Sequence, residues 1–209
     1  ICRRYRRGFS VTMMVSLRHR LVILAMPKCA SSAIESALAP HMDVVIRGVP
    51  SAKHTPYRKY DRFLRKYLEG LSEGPLETVC LFREPIDWLN SWWRYRGRSG
   101  VPNRKRSTKT MTFNAFVERY LDGAAPPADV GRQSRFISDA KGNPSVDHIL
   151  SYDDMAPFIE LISNRMGIQV ELGRENVSPP AHLDEGLSPD TERRLREDLA
   201  LDFEIYASV

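Results

Sequence analysis

The feature that most constrains folding is the apolar run Leu21–Val22–Ile23–Leu24–Ala25–Met26, closed by Pro27 and followed at once by a small, hydroxyl-rich stretch. An unbroken apolar run of this length is the form taken by a strand buried on both faces. Ser31 to Leu38 then reads as a helix, with Ala33, Ala37 and Leu38 available for packing. Further strands are predicted at Val44–Val49, Thr78–Phe82 and Val146–Tyr152. Helices are predicted at Tyr57–Tyr67, which carries a basic face, and at Ile86–Tyr95, Phe113–Leu121, 153–166 and Ser188–Tyr206. The last opens with Ser188–Pro189, an N-cap followed by Pro at the first helical position. Residues 97–111 and Gly123–Gly131 read as connections. Strand–helix alternation implies an α/β fold in which a central, mainly parallel sheet is flanked by helices on both faces.

With 209 residues, the chain fits one domain. Residues 1–20 hold six Arg and no acid and read as a basic leader, disordered or non-native, because Met13 or Met14 could be the true start. Residues 21–209 form the single expected domain. No apolar stretch approaches the length of a membrane span. Three scattered cysteines, with no CxxC pair and no zinc spacing, point to a reducing, cytoplasmic setting and to no metal. The net charge of +5 suits an anionic ligand. No helix-turn-helix, RNA-recognition or zinc pattern calls for nucleic acid.

Pro27–Lys28–Cys29–Ala30–Ser31–Ser32–Ala33 lies directly between a strand and a helix. The first N–H groups of a helix lack intrahelical partners, and the helix dipole adds positive potential, so a phosphate is at home there. Lys28 adds a full charge, Ser31 and Ser32 add hydroxyls, and the small Ala30 and Ala33 permit close approach. Ser32–Ala33–Ile34–Glu35 equally fits a capping box that merely starts the helix. The glycines of a Walker A loop are absent, which disfavours an ordinary P-loop kinase.

The second stretch is Arg83–Glu84–Pro85, ending a strand, with Ser91 eight residues after the Arg on the next helix. Ligands of open α/β sheets bind at carboxyl strand ends, and the guanidinium fork suits a phosphate. Arg83 could instead pair with Glu84 or Asp87. Taken together, the two stretches resemble the 5′-phosphosulfate and 3′-phosphate motifs of sulfotransferases that use 3′-phosphoadenosine 5′-phosphosulfate (PAPS), closest to the carbohydrate-type branch with its bacterial members. The resemblance implies a P-loop-like three-layer fold and sulfuryl transfer from PAPS to an acceptor hydroxyl, leaving PAP, with no metal.

By the same resemblance, Lys28, Cys29, Ala30, Ser31, Ser32 and Ala33 would hold the phosphosulfate, and Arg83 and Ser91 the 3′-phosphate. Asn176–Val177–Ser178 resembles the family's C-terminal segment, which closes over the nucleotide, and so would bring Ser178 to it. His54 stands where the family places its general base, and Lys28 would stabilise charge on the bridging oxygen. The family often has glycine at the position of Ala30, which therefore needs ordinary dihedrals here. Arg96, Arg98, Arg104, Lys105, Arg106 and Lys109 follow one another with no acid between them. Such a basic stretch would favour an anionic acceptor such as an acidic glycan, or else form a solvated loop. Trp88, Trp92 and Trp93 could offer a sugar-stacking face, although Trp88 and Trp92 have the spacing of core residues. A relative that binds PAP without turnover and a small-molecule kinase are the alternatives.

Overall fold

The computed structural model describes residues 13–47, 54–98, 104–123, 125–173 and 186–209. A five-stranded sheet is built from β1 (Met13–Ser16), β2 (Leu21–Ile23), β3 (Val44–Ile46), β4 (Glu77–Phe82) and β5 (His148–Ser151), in the order β3-β1-β2-β4-β5. β2 pairs parallel with β4, and β4 with β5. β1 runs antiparallel to both β2 and β3. The sheet is therefore mixed, which corrects the expectation of a mainly parallel one. The antiparallel half comes from residues 13–16, assigned by sequence to the leader; Met13, Met14, Val15 and Ser16 are all buried. A tight connection joins β1 to β2, with Arg20 in the left-handed region at φ 51° and its N–H bonded to the Leu17 carbonyl at 3.2 Å.

Helices flank the sheet: α1 (Ser31–Leu38), α2 (Tyr57–Tyr60), α3 (Lys66–Glu69), α4 (Pro85–Gly97), α5 (Phe113–Leu121), α6 (Gln133–Ile137), α7 (Ala156–Met166), α8 (Pro189–Asp198) and α9 (Ala200–Ala207). The expected helix over 57–67 is one helical run in which a π-helical turn, Asp61–Arg65, joins α2 to α3. The expected C-terminal helix breaks at Leu199 into α8 and α9. α4 starts because Pro85 presets its first turn and the Glu84 carboxylate accepts the Asp87 N–H at 2.6 Å. Apolar side chains from all five strands and most helices merge into one core, with Phe82, Phe116, Phe158 and Leu89 fully enclosed. Among the described residues, no helix is long and apolar enough to cross a membrane.

Parallel pairing of β2, β4 and β5 gathers their carboxyl ends on one edge. The chain leaves that edge through Pro27–Ala30, through Arg83 and through Tyr152–Asp153.

Candidate functional site

The loop after β2 is fastened from the β4–α4 side. The Trp88 indole N–H donates to the Pro27 carbonyl at 2.8 Å, and Arg83 Nη1 donates to the Lys28 carbonyl at 2.8 Å. With both carbonyls held, the loop turns sharply. Lys28 adopts φ 68° and Ala30 φ 49°, both left-handed conformations that glycine would take at less cost. Ala30 thus lacks the ordinary dihedrals expected of it. Such strain is characteristic of functional loops. Ala30 is also the N-cap of α1, and its methyl side chain caps nothing. Ser32, the N-cap of the capping-box alternative, instead lies inside the first turn of α1, and Glu35 is buried and pairs with Arg47 at 2.6 Å.

Lys28 projects over the α4 aromatics, its Nζ 4.2 Å from the Tyr95 ring centre and 5.9 Å from that of Trp92. The Arg98 guanidinium lies 3.8 Å from the same Tyr95 ring centre. Burial pushes the Lys28 ammonium down from its ordinary 10.5 to about 8, with Arg83, Arg98 and Arg94 adding like-charge repulsion. Four cations thus converge at the carboxyl end of β2 and β4. The carboxylate recorded among them is Asp87, which accepts from Arg83 Nε at 2.6 Å and stands 3.8 Å from Arg94.

Arg83 is buried where β4 ends, as expected, but its guanidinium is heavily committed. Nε and Nη2 hold Asp87, Nη1 holds the Lys28 carbonyl, and the Tyr152 ring lies 4.5 Å beneath. The Asp87 pairing open in the sequence is therefore the one formed. Ser91 is buried on α4, two turns further along. The Arg83 peptide is clamped by a residue the sequence did not single out. Gln133, fully buried on α6, accepts the Arg83 N–H at 3.0 Å and donates to the Arg83 carbonyl at 2.8 Å. The Cys29 thiol lies 3.9 Å from the same Gln133 oxygen. Burial pushes that thiol well above its ordinary range, so it is packing rather than a thiolate. No local signal marks Gln133, which sits in an irregular region 50 residues from its partner. Arg98 was read as part of the basic stretch and Arg94 was not singled out, and only the fold brings both close enough to repel Lys28.

His54 is brought to the same edge. Its Nδ1 lies 2.8 Å from the Ala25 carbonyl, at the end of the β2 segment. A carbonyl can only accept, so Nδ1 carries the proton and the neutral ring has its lone pair on Nε2. Ser31 is buried and Ser32 half-buried at the start of α1, with Ala33 buried behind them. Ser178 lies outside the described residues. The basic stretch is less open than its sequence suggests: Arg96 is buried on α4 and pairs with Asp129 at 2.6 Å, and Arg106 holds the other Asp129 oxygen at 2.6 Å. Trp88 and Trp93 are buried, and Trp92 is half-buried, edge-on to Trp88 and Tyr95. The stacking face expected of three tryptophans is not presented: Lys28 and Arg98 lie over Tyr95, and Lys28 and Arg96 over Trp92.

No family model matches the chain, and no curated protein matches it. Among solved structures, the chain is similar to the crystal structure of a sulfotransferase from Alicyclobacillus acidocaldarius. The identity is 14% and the TM-score 0.46, covering 89% of this chain and 93% of that one. This is a weak, partial resemblance in fold, and it bears on neither donor, acceptor nor residues.

Proposed function

We propose that the chain transfers a sulfuryl group from PAPS to an acceptor hydroxyl. The observation that carries this reading is the partly desolvated Lys28 ammonium, ringed by Arg83, Arg94 and Arg98 where two parallel strands end. Like charges held together in a low-dielectric place are unfavourable until an anion joins them. A nucleotide with phosphates at both ends would supply that charge, in keeping with the two sequence motifs. The donor set fits it in part. Lys28, Ser31, Ser32 and the first N–H groups of α1 suit the phosphosulfate. Ser91 suits the 3′-phosphate, while Arg83 would meet it with Asp87 already in its fork.

PAPS supplies the activated sulfuryl group. His54 Nε2 takes the proton from the acceptor hydroxyl, while Nδ1 stays on the Ala25 carbonyl and fixes the ring. Lys28 offers positive charge to the oxygen left behind when the sulfur–oxygen bond breaks. The acceptor we favour is a carbohydrate, as the sequence resemblance implies.

The Arg83–Asp87 pair and the left-handed Ala30 favour a second reading, a protein that binds PAP without turnover. Incubation with labelled PAPS and an acceptor panel separates the two. Transfer is expected from the natural chain, with a loss of roughly 10² to 10⁴ in rate for His54→Ala and at least as great a loss for Lys28→Ala. Full turnover in His54→Ala would remove the base assignment. PAP binding with no transfer to any acceptor would favour the second reading.

A further inference from the structure

We infer that the helical run 57–71 docks the protein onto anionic lipid bilayers. Phe63, Tyr67 and Leu71 are 63%, 69% and 54% exposed. They are spaced by four, and the helical turn continues to Leu71, whose N–H bonds the Leu68 carbonyl at 3.0 Å. They therefore form one apolar row along the outside of the helix. Tyr57, Tyr60 and Leu68 face the core, so the row is not needed to hold the helix down.

The neighbouring row is cationic. Lys59, Arg62 and Lys66 are all exposed. The acids of this helix are already engaged: Asp61 with Arg65 at 2.9 Å, and Glu69 with the Leu76 N–H at 3.1 Å. Arg65 itself turns toward the Tyr57 and Tyr60 rings. The outward face is thus positive beside a strip of apolar and aromatic groups. A water-soluble polyanion would use the cations and leave Phe63 and Leu71 in water. A bilayer uses both, because the apolar row enters the acyl boundary while Lys and Arg reach the phosphate level. The face begins three residues after His54, and the inference is independent of the transfer reaction.

Co-sedimentation of the full chain with vesicles tests this at roughly 0.1 M salt, where screening is moderate. Binding is expected to phosphatidylcholine vesicles containing phosphatidylserine and to fall at least about tenfold on phosphatidylcholine alone, as surface charge requires. Phe63→Ser/Tyr67→Ser and Lys59→Glu/Lys66→Glu should each lower it by about tenfold or more. Both pairs are exposed, so circular dichroism should match the natural chain. Backbone amides of 57–71 should exchange more slowly with vesicles present. No binding to the charged vesicles would overturn the inference. So would binding indifferent to the Phe63 and Tyr67 changes, which would indicate charge alone. Binding indifferent to the Lys59 and Lys66 reversal would place the contact elsewhere, for instance in the Arg-rich first 20 residues.

Discussion

At the scale of single residues, Lys28 carries the most testable chemistry. In the free protein its ammonium loses its proton near pH 8, because it is partly buried among Arg83, Arg98 and Arg94. Anion binding needs the charged form. PAP affinity should therefore hold below pH 8 and fall above it, by up to about tenfold per pH unit. Calorimetry in buffers of different ionisation enthalpy should detect proton uptake on binding near pH 8. Lys28→Arg should remove both effects. The stability of the free protein moves the opposite way. The unfolded chain keeps the proton up to its ordinary 10.5, so stability should rise between pH 8 and 10.5. Ala30 gives a second expectation at this scale. At φ 49°, a glycine would relieve strain, and Ala30→Gly should raise unfolding stability by about 1 kcal/mol in urea titration. The identity of both residues as loop members was legible from Pro27–Lys28 between a strand and a helix. Their left-handed backbone was not, because it is imposed by Trp88 and Arg83, more than 50 residues away.

At the scale of elements, α4 does more than carry Ser91. One face holds the loop through Trp88, another presents Arg94 and Tyr95 toward Lys28, and its last turn buries Arg96 against the 123–131 connection. Sequence showed the helix and its cations but grouped Arg96 with the open basic loop, since Asp129 lies 33 residues on. The two arginines that share Asp129 should respond very differently. Asp129→Ala leaves the buried Arg96 unpaired and should cost about 3 kcal/mol. Arg106→Ala removes an exposed partner and should cost less than about 1 kcal/mol. Denaturant midpoints of the two variants check this, and equal losses would contradict it. Short α6 escaped notice because Gln133–Ile137 spans barely one turn, too little for periodicity to register. Yet α6 supplies the amide that clamps Arg83 and, through Ser134, a 2.6 Å bond to Asp202 of α9.

At the scale of the whole molecule, the order of strands puts β2, β4 and β5 side by side with their exits together. That half of the sheet was readable, because buried parallel strands are short apolar runs between Pro and Gly. The antiparallel half was not. β1 is four residues in an Arg-rich stretch, and its turn uses Arg20 where a hairpin signal would show Asn or Gly. Lys28, His54 and Arg83 come from three segments that this topology brings to one edge, and the proposed function requires that edge to grip both ends of one nucleotide. Isothermal titration with PAP, set beside adenosine 5′-monophosphate, which differs only in lacking the 3′-phosphate, measures that directly. One PAP should bind per chain, weakened at least about tenfold by loss of the 3′-phosphate and by Ser91→Ala/Arg83→Ala, as expected for charge-assisted contacts. No PAP binding, or equal affinity for the two nucleotides, would contradict the account.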